Sequence, residues 1–377
     1  MDLPVYAKGE VCLTVSFVLK DDTAWAEKGY EVAFGQGIWQ CKERTLSNRE
    51  NVAAREKDCI EASRLRAGVF SHRLDTPLRV VRGDINLGVK FPGGEILFSS
   101  AQGNIVSYKW NGAELLEEMP KPLFWRAPVD NDYGSRRDFS VAQWKLASLY
   151  RRCVKQEIQL SEETWQEYKW FGQLGIKEYA ADKVKIRFTY ELATVPTAFC
   201  QITYSVCKGG ILKVELDYEK IAGLPEIPDF AMLFTMPADY NQLQYYGYGP
   251  AANYIDRQEG SKLGGYSSTA EGEMEAYLLP QECGNHGGIR WLEVTDKRGR
   301  GVRVSGDIPL AGSVLPYSAH ELENARHRYD LPQVHHTYLR VSAGPCGVGG
   351  DDTWGAPVLE EYRIKNESMH LMFYFQG

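Results

Sequence analysis

The residues best suited to chemistry in this chain lie in short turns punctuated by glycine, with no familiar catalytic string among them. Gly349-Gly350-Asp351-Asp352-Thr353-Trp354-Gly355 places one large aromatic ring between small neighbours. An indole on such a turn can offer its flat face to the apolar C–H face of a sugar ring, or it can close the edge of a hydrophobic core. Asp130-Asn131-Asp132-Tyr133-Gly134 has the composition of a calcium loop, but an EF-hand requires Gly at its sixth position and Glu at its twelfth. Counted from Asp130, the sixth is Ser135 and the twelfth is Val141. The stretch reads as a rigid turn instead, because Asp and Asn side chains bond nearby backbone N–H groups.

Other candidates fail on context. Gly247-Tyr248-Gly249-Pro250-Ala251-Ala252 fits the letters of a dinucleotide loop. That loop must open a helix whose free N–H groups hold a pyrophosphate, and Pro250 with Asn253–Arg257 does not read as one. His335 and His336 are adjacent, so on a regular strand they point to opposite faces and cannot share a metal. A glycosidase needs two carboxylates about 5–10 Å apart in space, which positions along strands do not reveal. Asn366-Glu367-Ser368 is a glycosylation sequon only by its letters. From motifs alone, the sequence therefore names no catalyst and no metal site.

The elements that must carry these turns are strands. Val11–Val18, Val184–Tyr190, Leu212–Tyr218 and Val302–Val304 alternate apolar and polar residues, the pattern of a sheet with one dry and one wet face. The 36 Gly and 17 Pro recur between them, at Pro92-Gly93-Gly94, Lys208-Gly209-Gly210, Asp296–Gly301 and Gly347–Gly350. Such spacing predicts antiparallel sandwiches, an all-β fold. Helical signals are few: a charged connection over Asn48–Arg66, helical or disordered, and a short amphipathic turn over Val141–Leu149 with Trp144 and Leu149 inward.

The segment from Cys41 to about Thr76 is rich in Arg, Glu and Asn and marks a boundary, which predicts a unit over 1–75 and another over 76–377. Roughly three strands fit before the boundary, too few to close a sandwich. The larger unit reads as one very large sandwich. At 377 residues the chain exceeds the size of a single ordinary core.

With 44% hydrophobic and 25% charged residues, the composition is that of an ordinary globular protein. A net charge of -7 disfavours nucleic acid. No apolar run approaches membrane-spanning length, and Met1–Glu10 lacks the basic flank and apolar stretch of a signal peptide. The eight cysteines show no C-x-x-C pair and read as reduced, mostly buried thiols, with a Cys200–Cys207 bridge disfavoured. A cytoplasmic location is the resulting expectation.

Three strings together resemble the C-terminal domain of glycoside hydrolase family 2 β-galactosidases: Phe124–Gly134 (FWRAPVDNDYG), Tyr246–Arg257 (YGYGPAANYIDR) and Gly347–Trp354 (GVGGDDTW). Gln281-Glu282-Cys283-Gly284 and Arg290-Trp291 are similar too, and Val11–Trp39 resembles the last strands of the immunoglobulin-like domain that precedes it. The resemblance implies a large antiparallel supersandwich after a partial immunoglobulin-like sandwich. It further implies that a TIM barrel, absent here, supplies the two catalytic glutamates with the magnesium and sodium sites. The matched Trp354 would stack on the sugar, while Gly134 and Asp352 would belong to loops at the pocket. The implied function is a non-catalytic portion of an oligomeric enzyme that cleaves β-galactosides such as lactose, with the barrel portion and the galactoside as partners. A free-standing carbohydrate-binding or scaffold sandwich is the alternative.

Overall fold

The structure is a computed structural model that describes residues 9–41, 76–161, 163–167, 176–352 and 354–377. The chain divides into two compact units, Met1–Lys57 and Asp58–Gly377. The expected charged connection at 48–66 lies outside the described residues.

In the first unit, β1 (Gly9–Val18) and β2 (Glu31–Cys41) form an antiparallel pair. Two strands stand among the described residues where the sequence suggested three. Val11, Val15 and Phe17 oppose Trp39, Gly35 and Ala33 on one face. Phe17 stays 62% exposed and Trp39 44%, so among the described residues this apolar face has no core of its own beneath it.

The second unit begins with β3 (Leu78–Arg82), β4 (Asn86–Phe91), β5 (Gly94–Ser99), β6 (Asn104–Trp110), β7 (Ala113–Glu114) and β8 (Lys121–Leu123). Three short helices follow: α1 (Asp130–Ser135), α2 (Arg137–Ser140) and α3 (Gln143–Leu149). Next come β9 (Arg151–Leu160), β10 (Gln166–Glu167), β11 (Lys177–Ala181), β12 (Lys183–Leu192), β13 (Phe199–Cys207) and β14 (Leu212–Tyr218). The chain continues through β15 (Ala231–Pro237), β16 (Gln242–Gly249), β17 (Lys262–Thr269), β18 (His286–Thr295) and β19 (Gly301–Leu315). It ends with α4 (Ala319–Asn324), β20 (His336–Ser342) and β21 (Met369–Gln376).

These strands make a six-stranded sheet, β11-β3-β4-β5-β6-β7, and a 13-stranded sheet. The larger runs β10-β9-β12-β13-β14-β21-β19-β18-β16-β17, with β20 pairing both β19 and β15, and β15 in turn pairing β8. Its β12 and β14 are buried at every second residue, as their alternation predicts, because period two sends each apolar side chain to the same face. One continuous core lies between the sheets. Tyr108 meets Phe375 at 5.6 Å and Phe98 meets Tyr204 at 5.9 Å between ring centroids. Tyr204 and Tyr108 reach across to donate their hydroxyls to Asn104 and to the Gly210 carbonyl, so these buried polar tips are satisfied.

Two local expectations need correction. Trp144 is fully buried against Phe124 and Tyr218, but Leu149 is 41% exposed. Five residues at about 100° each carry Leu149 some 140° around the helix from Trp144, and the inward stripe is instead Val141, Trp144, Ala147 and Ser148. Asp130–Gly134 is the first turn of α1 rather than a plain turn: Asp132 accepts the Val129 N–H at 3.0 Å and caps the helix start.

Cys200 and Cys207 sit at different positions along β13 as buried thiols with no disulfide between them, and Cys283 and Cys346 are buried thiols elsewhere in the chain. Burial pushes the Cys200 thiol up to about 12. Among the described residues no helix is long and apolar enough to cross a membrane.

Candidate functional site

The loop that carries Trp354 leaves the body of the second unit at Gly347. There Arg126 donates Nη2 to the Gly347 carbonyl at 3.0 Å. Asp256, from the turn after β16, accepts the N–H groups of Val348 and Gly349 on one oxygen, at 2.8 and 2.6 Å. Further along, Asp352 folds its Oδ1 back onto the N–H groups of Trp354, Gly355 and Ala356 at 3.0, 2.8 and 2.8 Å. Those bonds, from Ala356 first, hold the Asp352 carboxyl below its ordinary range. The oxygen that stabilises the loop is thereby occupied by backbone.

Helix α1 supports the loop from the other side. Asn131 donates Nδ2 to the carbonyls of Asp352 and Ala356 at 2.7 and 2.9 Å. One turn on, the Gly134 backbone lies directly against the Trp354 carbonyl and Gly355 Cα, where a Cβ would collide with both. The indole itself is 77% exposed, so the edge-packing role open to it in sequence is not the one it has. Asp352, Gly134 and Trp354, which sequence singled out separately, are thus brought into one assembly.

Beneath it lies a buried ionic frame that sequence reasoning did not pick out. Asp132 sits between Arg126 (2.6 Å) and Arg137 (3.5 Å), and Arg137 also meets Glu226 at 3.0 Å. Burial opposes the charge on Asp132, yet Arg126, the Val129 N–H and Arg137 together keep its carboxyl below the ordinary range. A second cluster places Arg340 between Glu282 (2.8 Å) and Asp229 (3.2 Å), with Arg340 also donating to the Asn285 side chain and Tyr254 donating its hydroxyl to Glu282. Burial pushes the Asp229 carboxyl up despite Arg340. Gln281 exchanges hydrogen bonds with Asp130 at 3.3 Å and ties this cluster to α1.

The remaining candidates resolve simply. β16 ends at Gly249 in a cis Gly249–Pro250 bond and no helix follows, so Gly247–Ala252 offers no helix N-terminus to a phosphate. Asn253 instead staples this turn, donating to the Tyr248 carbonyl and accepting the Gly287 N–H. His336 opens β20 with its ring 6.5 Å from that of His335. Among the described residues, no group of three or more His, Cys, Asp and Glu could hold a metal ion.

The geometry is that of a flat aromatic surface on a braced loop, with the Asp352 carboxylate engaged by backbone. Comparison with known proteins specifies the setting. The model of the β-galactosidase small chain matches residues 92–375, which include every residue of this assembly. This chain belongs to the β-galactosidase small-chain family. A second family model, domain 4 of β-galactosidase, matches residues 1–40. The chain is 37% identical to a β-galactosidase of Halalkalibacterium halodurans over 95% of its own length and 31% of that protein. It is 34% identical to one of Streptococcus thermophilus, over 97% of its length and 32% of that protein. A small subunit of β-galactosidase from Latilactobacillus sakei is 32% identical, covering 76% of this chain and 93% of that one. The small-chain sequence here thus spans about a third of the length of the first two relatives.

Proposed function

We propose that this chain is the non-catalytic C-terminal portion of a β-galactosidase and that Trp354 is a platform for the galactoside. It works with a barrel-bearing portion that supplies the acid/base and nucleophile carboxylates of a retaining hydrolysis. The single observation that carries this reading is an exposed indole on a loop braced by buried residues, in a chain of the small-chain family. Bracing the backbone beneath the ring lowers the entropy lost on stacking, so its contact is worth more than that of a ring on a mobile loop. Residues 1–75 are assigned to the closing strands and connector of an immunoglobulin-like domain, and 76–377 to the large sandwich, in keeping with the two family models. The galactoside, the barrel portion and an oligomeric assembly are the proposed partners, and the cytoplasm the proposed location.

The isolated chain separates this reading from a free-standing carbohydrate-binding module. One indole without the rest of a pocket should give no saturable heat with galactose or lactose up to the millimolar range, and no release of chromophore from a chromogenic galactoside. Saturation at millimolar sugar favours the module. Turnover abolished by replacing a carboxylate of this chain refutes the non-catalytic assignment.

A further inference from the structure

Asn131 touches the Trp354 loop at two places with one amide. Its Nδ2 donates to the Asp352 carbonyl (2.7 Å) and to the Ala356 carbonyl (2.9 Å), four residues apart, so it closes the base of the turn from which the indole projects. The side chain is 6% exposed, and its donors have little competition from water. Gly350 lies so close that a Cβ there would come within 2.8 Å of the same nitrogen. Asn131 and Gly134 are three apart on α1 and share a face, so the helix meets the loop by a hydrogen-bonded contact and a bare-backbone contact at once.

We propose that Asn131 is a positioning residue for Trp354, a clamp that transmits the fixed placement of α1 to the sugar platform. The side-chain type follows from the partners. Two carbonyls require two N–H donors from one point, which an amide supplies and a carboxylate does not. Aspartate at this position would set acceptors against acceptors, while serine could satisfy one carbonyl at most. The start of the loop has its own attachments, the Val348 and Gly349 amides on Asp256 and the Gly347 carbonyl on Arg126. Loss of the clamp therefore frees the tip and leaves the root in place. This inference rests on the platform reading of Trp354 only for its functional consequence.

Hydrogen exchange on the whole chain tests the clamp without sugar. In Asn131→Asp and Asn131→Ser, the amides of Trp354, Gly355 and Ala356 should exchange about tenfold faster, the order expected for one or two lost hydrogen bonds. Those of Val348 and Gly349, and of core strands β14 and β21, should be unchanged. Unchanged tip amides in both variants overturn the clamp, as does equal acceleration everywhere, which marks a general loss of folding.

The second arm uses this chain assembled with a barrel-bearing partner. Asn131→Ser should raise KM for a galactoside more than it lowers kcat, and on a Trp354→Ala background should add less than a further twofold. Losses that multiply instead show that Asn131 acts elsewhere. If tip exchange accelerates while Trp354→Ala itself leaves KM unaltered, the clamp stands and the platform reading falls.

Discussion

Asp132 has a guanidinium on either side and is 3% exposed, so its charge depends on those partners rather than on water. Removing Arg126 leaves a buried carboxylate whose remaining partners are Arg137 at 3.5 Å and the Val129 N–H. Arg126→Ala should therefore cost about 3–5 kcal/mol in urea unfolding, and Arg126→Ala combined with Asp132→Ala markedly less than the sum of the single changes. A single-variant loss below about 1 kcal/mol would show that the pair is not the strut it is drawn to be. At this scale sequence revealed the parts but not their pairing. Trp354 could be singled out from turn composition, Gly134 and Asp352 only through the family resemblance, and Arg126, Asn131 and Asp132 lie inside the strings that carry that resemblance. Their partners, however, are up to 225 residues away in the chain, and nothing local encodes such a contact.

Helix α3 shows how a short element is fixed by one anchor. Trp144 fills the space between Phe124 and Tyr218 and donates its indole N–H to the Pro225 carbonyl at 3.1 Å. Trp144→Ala should lower stability by about 3–5 kcal/mol through the cavity it leaves. Leu149→Lys should stay within about 0.5 kcal/mol, because that side chain already faces solvent. Guanidinium titrations of the two variants check both, and similar losses would contradict the helical phase described. Sequence located this helix but misplaced Leu149, since an apolar residue at the end of a seven-residue helix carries no phase information of its own. The turn expected at Asp130–Gly134 became a helix for a related reason: the preference of Asp and Asn for turns was overridden by the cap and the buried ion pair that Asp132 makes.

Across the whole molecule, the alternation of β12 and β14 makes a large antiparallel sandwich legible in the sequence. Strand order was not legible, because alternation states which face is dry and not which strand lies alongside. β14 pairs with β21, more than a hundred residues later, and β8 lies beside β15. That crossing order draws together α1, the turn after β16 and the loop of Trp354, and so assembles the strings that resembled the family. In the proposed function, such a frame presents one indole to a sugar bound by another portion of a β-galactosidase. The most direct test is to mix the purified chain with a barrel-bearing partner and measure hydrolysis of a chromogenic galactoside. Activity should appear on mixing, and Trp354→Ala should lower kcat/KM by about tenfold or more, the equivalent of ~1.4 kcal/mol of lost contact. Activity in either component alone at the level of the mixture, or a mixture indifferent to Trp354→Ala, would contradict it.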